Sequence, residues 1–187
     1  MRRRGHLLPG APTLLLLLSV VAPAAVASPL TDLALVTVEK KALALDQARR
    51  RGPILVDFWA TWCKPCLASL PEIQALHTTY GPLGLTVVGV SIDGPRNAAR
   101  VRPFAARLGL TYPIVFDEDG RLQQRFGVRG VPNAVLLDTT GTVVRRFTGY
   151  RPGEGAALAR AIEAALVDSV ASPGVAAGSA ADSGTAR

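Results

Sequence analysis

Soft metal ligands are scarce in this chain, whose 187 residues include only two cysteines, two histidines and one methionine. A tetrahedral zinc site takes about four nitrogen or sulfur ligands. Beyond Cys63 and Cys66 only His6 and His77 remain, far apart in sequence. Ligand supply therefore argues against a metal site, and it weighs equally against a metallochaperone, which needs soft donors for its cargo. Aromatic residues are 5% of the chain, too few for the stacking platforms that hold single-stranded nucleic acid. The basic residues, among them Arg49-Arg50-Arg51, Arg100, Arg102, Arg107 and Arg145-Arg146, are dispersed. Dispersal fits solvated helix faces and strand edges, so no nucleic-acid partner is expected. The apolar stretch centred on Leu14 to Val21 falls short of the ~20 residues of a membrane span.

That stretch has another meaning. Arg2-Arg3-Arg4 precede it and Ala25-Val26-Ala27 follow it, giving the charged, apolar and small-residue regions of a secretory signal peptide. Residues 1–27 are read as a leader cleaved before Ser28, the alternative being an uncleaved membrane anchor. The residues after the arginines, Gly5-His6, match a twin-arginine signal poorly. Losing Arg2, Arg3 and Arg4 lowers the formal charge from +7 to +4. At the other end Ala, Gly and Ser dominate from Ser169 without apolar periodicity, so residues 169–187 are read as a disordered tail. Between the two lies enough apolar sequence for one well-cored domain, residues 30–167.

Both cysteines sit in Trp62-Cys63-Lys64-Pro65-Cys66, directly after the apolar run Pro53 to Trp59. Two thiols separated by two residues at a strand-to-helix junction form a redox pair. Pro65 suits the first turn of the following helix, where its missing N–H costs nothing. The helix N–H groups and dipole then point at Cys63 and favour its thiolate, the nucleophile of disulfide exchange. Cys63 is thus the candidate attacking thiol and Cys66 the resolving one. A purely structural disulfide would close too short a loop to stabilise much. Outside the cytosol disulfides persist, so a lone redox pair in an exported chain implies work on other proteins.

Strand and helix signals alternate along the domain. Leu33 to Val38 reads as a short strand, Ala42 to Arg51 as a helix closed by Gly52, and Pro53 to Trp59 as a central strand. A helix from Lys64 to Tyr80 should kink at Pro71. Leu85 to Ile92 is a buried strand, Asn97 to Leu108 a helix, Tyr112 to Phe116 a strand, Asp117 to Gly120 a turn, and Leu122 to Phe126 a short helix. Val131 to Asp138 and Thr142 to Thr148 form a hairpin, and Glu154 to Val167 closes the domain. The order implies an α/β domain with a central mixed sheet flanked by helices on both faces.

This order, together with Phe58-Trp59-Ala60-Thr61-Trp62-Cys63-Lys64-Pro65-Cys66, Pro71 and Gly130-Val131-Pro132, resembles the thioredoxin superfamily. The leader and the extra βα unit from Leu85 to Leu108 are similar to its exported TlpA/ResA branch. The resemblance implies a thioredoxin-like fold and a protein-disulfide oxidoreductase that works without a cofactor, as a monomer in the periplasm, fed by a membrane or exported electron donor. It implies the same division of labour between Cys63 and Cys66. It also implies a cis Val131–Pro132 bond packed on the disulfide, with the Val131 backbone and Trp62 forming the surface that binds substrate chains.

Asp57 is an acid in the middle of an apolar strand. Desolvation would raise its pKa and let it exchange a proton with a thiol at neutral pH, so it is the candidate base for Cys66, matching the aspartate of thioredoxins. Lys64 adds a positive charge near Cys63. Relatives that reduce apocytochrome c in cytochrome c biogenesis often carry glutamate three residues after the second cysteine; here that residue is Ser69, which has no titrating carboxylate. A general or non-cytochrome protein substrate is therefore expected, with Glu72, one helical turn on, as the residue that could replace the missing acid. The competing readings are a non-catalytic assembly factor and a thiol peroxidase.

Overall fold

Ile54–Trp59 is the element around which everything else is placed, because all six of its side chains are buried. A strand buried on both faces must lie in the middle of a covered sheet. The computed structural model describes residues 33–171 and puts this strand, β3, at the centre of five, in the order β5-β4-β3-β6-β7. Here β4 is Thr86–Ser91, β5 Ile114–Phe116, β6 Asn133–Leu137 and β7 Val143–Thr148. β3 pairs in parallel with β4, and β4 with β5; β6 runs antiparallel to both β3 and β7. The mixed sheet expected from the sequence is the one that forms.

Residues along β3 point to alternate faces. Leu55 and Trp59 join one core, with Leu70, Ile73 and Leu76 of helix α2 (Lys64–Tyr80), Val101 and Ala105 of α3 (Ala98–Arg107), and Leu158 and Ile162 of α5 (Glu154–Ala171). Ile54, Val56 and Phe58 join the opposite core, with Leu45 and Ala48 of α1 (Leu45–Arg49) and Leu122 and Phe126 of α4 (Arg121–Phe126). The alternation therefore places Asp57 on the face that α2 covers. Its neighbour on β4 in the register is Gly89. A Cβ at Gly89 would lie 2.9 Å from Cε2 of Tyr112 and 3.0 Å from Nε1 of Trp59, so glycine there lets two large rings pack over the sheet beside Asp57.

Several boundaries differ from the sequence reading. The helix expected over Ala42 to Arg51 begins as a strand, β2 (Ala42–Ala44), and is helical only from Leu45 to Arg49. Helix-forming alanine and leucine are overridden by antiparallel pairing with β1 (Ala34–Val36), which sets Leu35 opposite Leu43. β5 starts two residues late, at Ile114, after Pro113. α2, by contrast, has the expected bounds and contains Pro71, which has no N–H to offer the carbonyl of Leu67. α5 runs on to Ala171, past the expected end at Val167 and into the first three residues assigned to the tail. The remaining tail and the leader lie outside the described residues. The short α4 is capped by Asp117, whose carboxylate accepts the N–H groups of Leu122 and Gln123, each at 2.9 Å.

Candidate active site

Cys63 is the N-cap of α2, with extended backbone and Pro65 in the first turn. Its Sγ accepts the backbone N–H of Cys66 at 3.3 Å, a contact of the kind that favours a thiolate once the pair is reduced. The two cysteines are joined as a disulfide, with their Cα atoms 5.3 Å apart. Cys63 is 5% exposed and Cys66 not at all. One cysteine that reaches solvent and a partner sealed from it is the asymmetry that exchange with a bulky substrate requires. Trp62 stands out beside Cys63, 60% exposed, and Lys64 is exposed as well, whereas Trp59 is wholly buried and stacks on Phe104 with ring centroids 5.7 Å apart.

The Val131–Pro132 bond is cis. Val131 is half-buried and packs against the core that contains Cys63 and Cys66. Pro132 is buried, and its carbonyl accepts the N–H of Gly149 at 2.9 Å, which ties the loop ahead of β6 to the end of β7. Asp57 is 2% exposed, and its Oδ2 has no hydrogen-bond partner. Burial alone pushes its pKa from 3.8 up to about 7. A carboxyl group that changes charge near neutrality, on the sheet face whose core contains the two cysteines, is equipped to take and return a proton.

Residues 26–146 match the AhpC/TSA family. The chain belongs to that family. Among its relatives is the thiol-disulfide oxidoreductase ResA of Geobacillus thermodenitrificans, 34% identical over 125 residues that cover 67% of this chain and 70% of the relative. The ResA of Bacillus anthracis is 28% identical over 62% of this chain and 65% of its own length. A Chlorobium tepidum structure described as the thiol:disulfide interchange protein DsbE is 30% identical, superposes with a TM-score of 0.67, and covers 74% of this chain and 96% of that one. StoA of Bacillus subtilis, at 23% identity and a TM-score of 0.59 over 69% of this chain and 94% of its own, shares the fold. With its Cys63–Cys66 pair at bonding distance on a thioredoxin-like sheet, this family member is a thiol–disulfide oxidoreductase.

The sequence reading missed one residue that holds this family member's redox loop. Asp93, fully buried just after β4, accepts the Thr61 N–H at 2.9 Å, the Thr61 hydroxyl at 2.6 Å and the Ser91 hydroxyl at 2.9 Å. Thr61 lies two residues before Cys63, so the carboxylate of Asp93 pins the segment that presents Trp62 and Cys63. The signal was available: like Asp57, Asp93 is an acid abutting an apolar run, Leu85 to Ile92. Asp93→Ala leaves three buried or half-buried donors unpaired and should cost about 3 kcal/mol in thermal or denaturant unfolding. The same variant should slow disulfide exchange, measured with a fluorescent disulfide substrate; unchanged exchange in a folded variant would limit Asp93 to stability.

Ser69 turns its hydroxyl to the Cys66 carbonyl at 3.2 Å. Glu72 is half-buried and accepts the Tyr150 hydroxyl at 2.8 Å and the Gly155 N–H at 3.0 Å. Among the described residues no group of three or more His, Cys, Asp or Glu side chains is placed to hold a metal ion.

Proposed function

We propose that the protein is an exported reductant of protein disulfides that works through a mixed disulfide. The Cys63 thiolate attacks one sulfur of a substrate disulfide, forming a Cys63–substrate bond and releasing the other substrate sulfur as a thiolate, which takes a proton from solvent. Cys66 then gives its proton to Asp57 and attacks Cys63. The substrate leaves as a second thiolate, and the Cys63–Cys66 disulfide remains for an external donor to reduce. Trp62, Val131 and Pro132 form the face on which an extended substrate chain lies.

The observation that carries this reading is the pairing of a slightly exposed Cys63 with a sealed Cys66 at the start of α2, in the core on the sheet face that also bears the buried Asp57. The same arrangement supports the direction. A carboxylate in the same core disfavours a thiolate there, which favours the disulfide form and so the reducing role. The substrate class is protein disulfides in general, since Ser69 supplies no titrating carboxylate next to the thiols. Among the described residues no helix is long and apolar enough to cross a membrane.

Export and activity are tested together on protein recovered from the host's own exported fraction. Mass spectrometry should give a chain beginning at Ser28, and that chain, once reduced, should reduce protein disulfides. An intact leader in the membrane fraction would replace the released form with an anchored one, and a reduction potential as high as about −120 mV would make the protein an oxidant instead.

A further inference from the structure

A buried base needs a way out for its proton. Asp57 is 2% exposed, so the proton it takes from Cys66 in each turnover has no direct route to solvent. One cavity touches it. About 30 Å³ in volume, the cavity is bounded by Asp57 and by Ser69 and Glu72 of α2, Asn133 of β6, and Tyr150 and Glu154 ahead of and at the start of α5. One water needs roughly 10–15 Å³, so the space admits about two. Its polar lining is incompletely paired: Oδ2 of Asp57 and Oδ1 of Asn133 are both buried without a hydrogen-bond partner. Buried polar atoms of that kind normally meet ordered water.

Glu72 is a half-exposed carboxyl group in the lining of this cavity, as is Glu154. The Tyr150 hydroxyl at 2.8 Å holds Oε1 of Glu72, and the Gly155 N–H at 3.0 Å, in the first turn of α5, holds its Oε2. Two donors fix the orientation of this carboxyl group. Tyr150 is adjacent to Gly149, whose N–H binds the carbonyl of Pro132, so the clamp also ties α2 to the cis-proline loop.

We propose that this cavity is the proton passage serving Asp57, with Glu72 as its outer carboxylate. The inference rests on the assignment of Asp57 as base for Cys66. In the resolving step Cys66 loses its proton to Asp57 as its sulfur bonds to that of Cys63 and the bond to substrate breaks. The proton passes from Asp57 through water in the cavity to Glu72 and on to solvent, and the Asp57 carboxylate is regenerated. The other titratable groups around Asp57 and the cavity are Tyr112 ahead of β5, Tyr150, Glu154 and, after reduction, the two thiols. Tyr112 and Tyr150 are held protonated at neutral pH, since burial and the charge of Asp57 push Tyr112 well up, and the bond to Glu72 raises Tyr150. Neither tyrosine therefore competes with Glu72 as an anionic acceptor.

The test separates proton traffic from chemistry. A pH jump across neutrality is applied to the oxidised protein, and the infrared band of the protonated Asp57 carboxyl, identified by its loss in Asp57→Asn, is followed in time. Glu72→Gln should slow the relaxation about ten-fold or more while leaving its midpoint in place, and a small acid such as formate at high concentration should restore the rate. Glu72→Asp, which keeps a carboxylate, should stay within a few-fold of the parent and guards against a folding defect of the glutamine variant. Parent-like relaxation in Glu72→Gln, or slowing that formate does not restore, overturns the passage. Failure of the base assignment reads differently: the resolution rate of the mixed disulfide would then keep its pH dependence in Asp57→Asn. A missing Asp57 band would overturn both.

Discussion

Cys66→Ser should accumulate covalent complexes between Cys63 and substrate proteins, whereas Cys63→Ser should trap few or none and lose turnover by about 10³-fold or more, as expected when a nucleophile is removed. The asymmetry comes from position. Cys63 caps α2, receives the Cys66 N–H at 3.3 Å and keeps 5% of its surface accessible. Cys66 is closed off beneath it. A substrate disulfide therefore reaches only Cys63, and with serine at 66 nothing remains to break the bond it forms. Non-reducing gels of the exported fraction, with and without added dithiothreitol, provide the measurement. Equal trapping by the two variants would reverse or abolish the assignment of attacking and resolving thiols.

The second large effect concerns Asp57 and appears in stability as well as rate. An unfolded chain releases the Asp57 proton near pH 4, and the folded chain keeps it until about pH 7 because burial disfavours the carboxylate. Between those values the folded state binds more protons than the unfolded one, so its stability falls as pH rises, by about 1.4 kcal/mol per unit, and levels off above pH 7. The accumulated loss is roughly 4 kcal/mol. Asp57→Asn cannot ionise. It should keep a nearly flat profile through this range and unfold at distinctly higher denaturant than the parent at pH 8, while matching it more closely at pH 4. The same change should slow resolution of the mixed disulfide about 10²-fold above pH 7, where the parent carboxylate is available as base. Denaturant midpoints measured from pH 4 to 8 decide the first effect and stopped-flow resolution rates the second; parallel stability profiles would mean that folding does not raise the Asp57 pKa. A gain in stability joined to a loss in rate is the mark of a residue kept for chemistry at the expense of the fold.

The relation between sequence and structure is uneven in an instructive way. Local chemistry alone marked the redox pair, because two cysteines flanking a proline at a strand-to-helix junction carry their geometry with them: backbone dihedrals and the helix dipole act within a few residues. The buried strands at Ile54–Trp59 and Thr86–Ser91 were legible for a similar reason, as runs of apolar residues cannot be left in water. Asp57 was visible as an acid that interrupts such a run. The cis Val131–Pro132 bond was accessible only through the family resemblance, because nothing in the residues themselves selects that isomer.

Other features were settled by distant parts of the chain. Ala42–Ala44 has the composition of a helix and became a strand because β1 offers it a partner. Asp93 was visible as an acid beside an apolar run, but its partner was not, since Thr61 is 32 residues away. The cavity at Asp57 takes its walls from β3, β6, α2 and the start of α5, and the clamp on Glu72 joins residues 78 and 83 positions apart. The sequence by itself determined which groups are candidates for the chemistry, because that depends on residue type and short spacing. Only the tertiary structure decided their burial and long-range hydrogen bonding, and with them the charge state of the buried acid, because desolvation is a property of the packed whole.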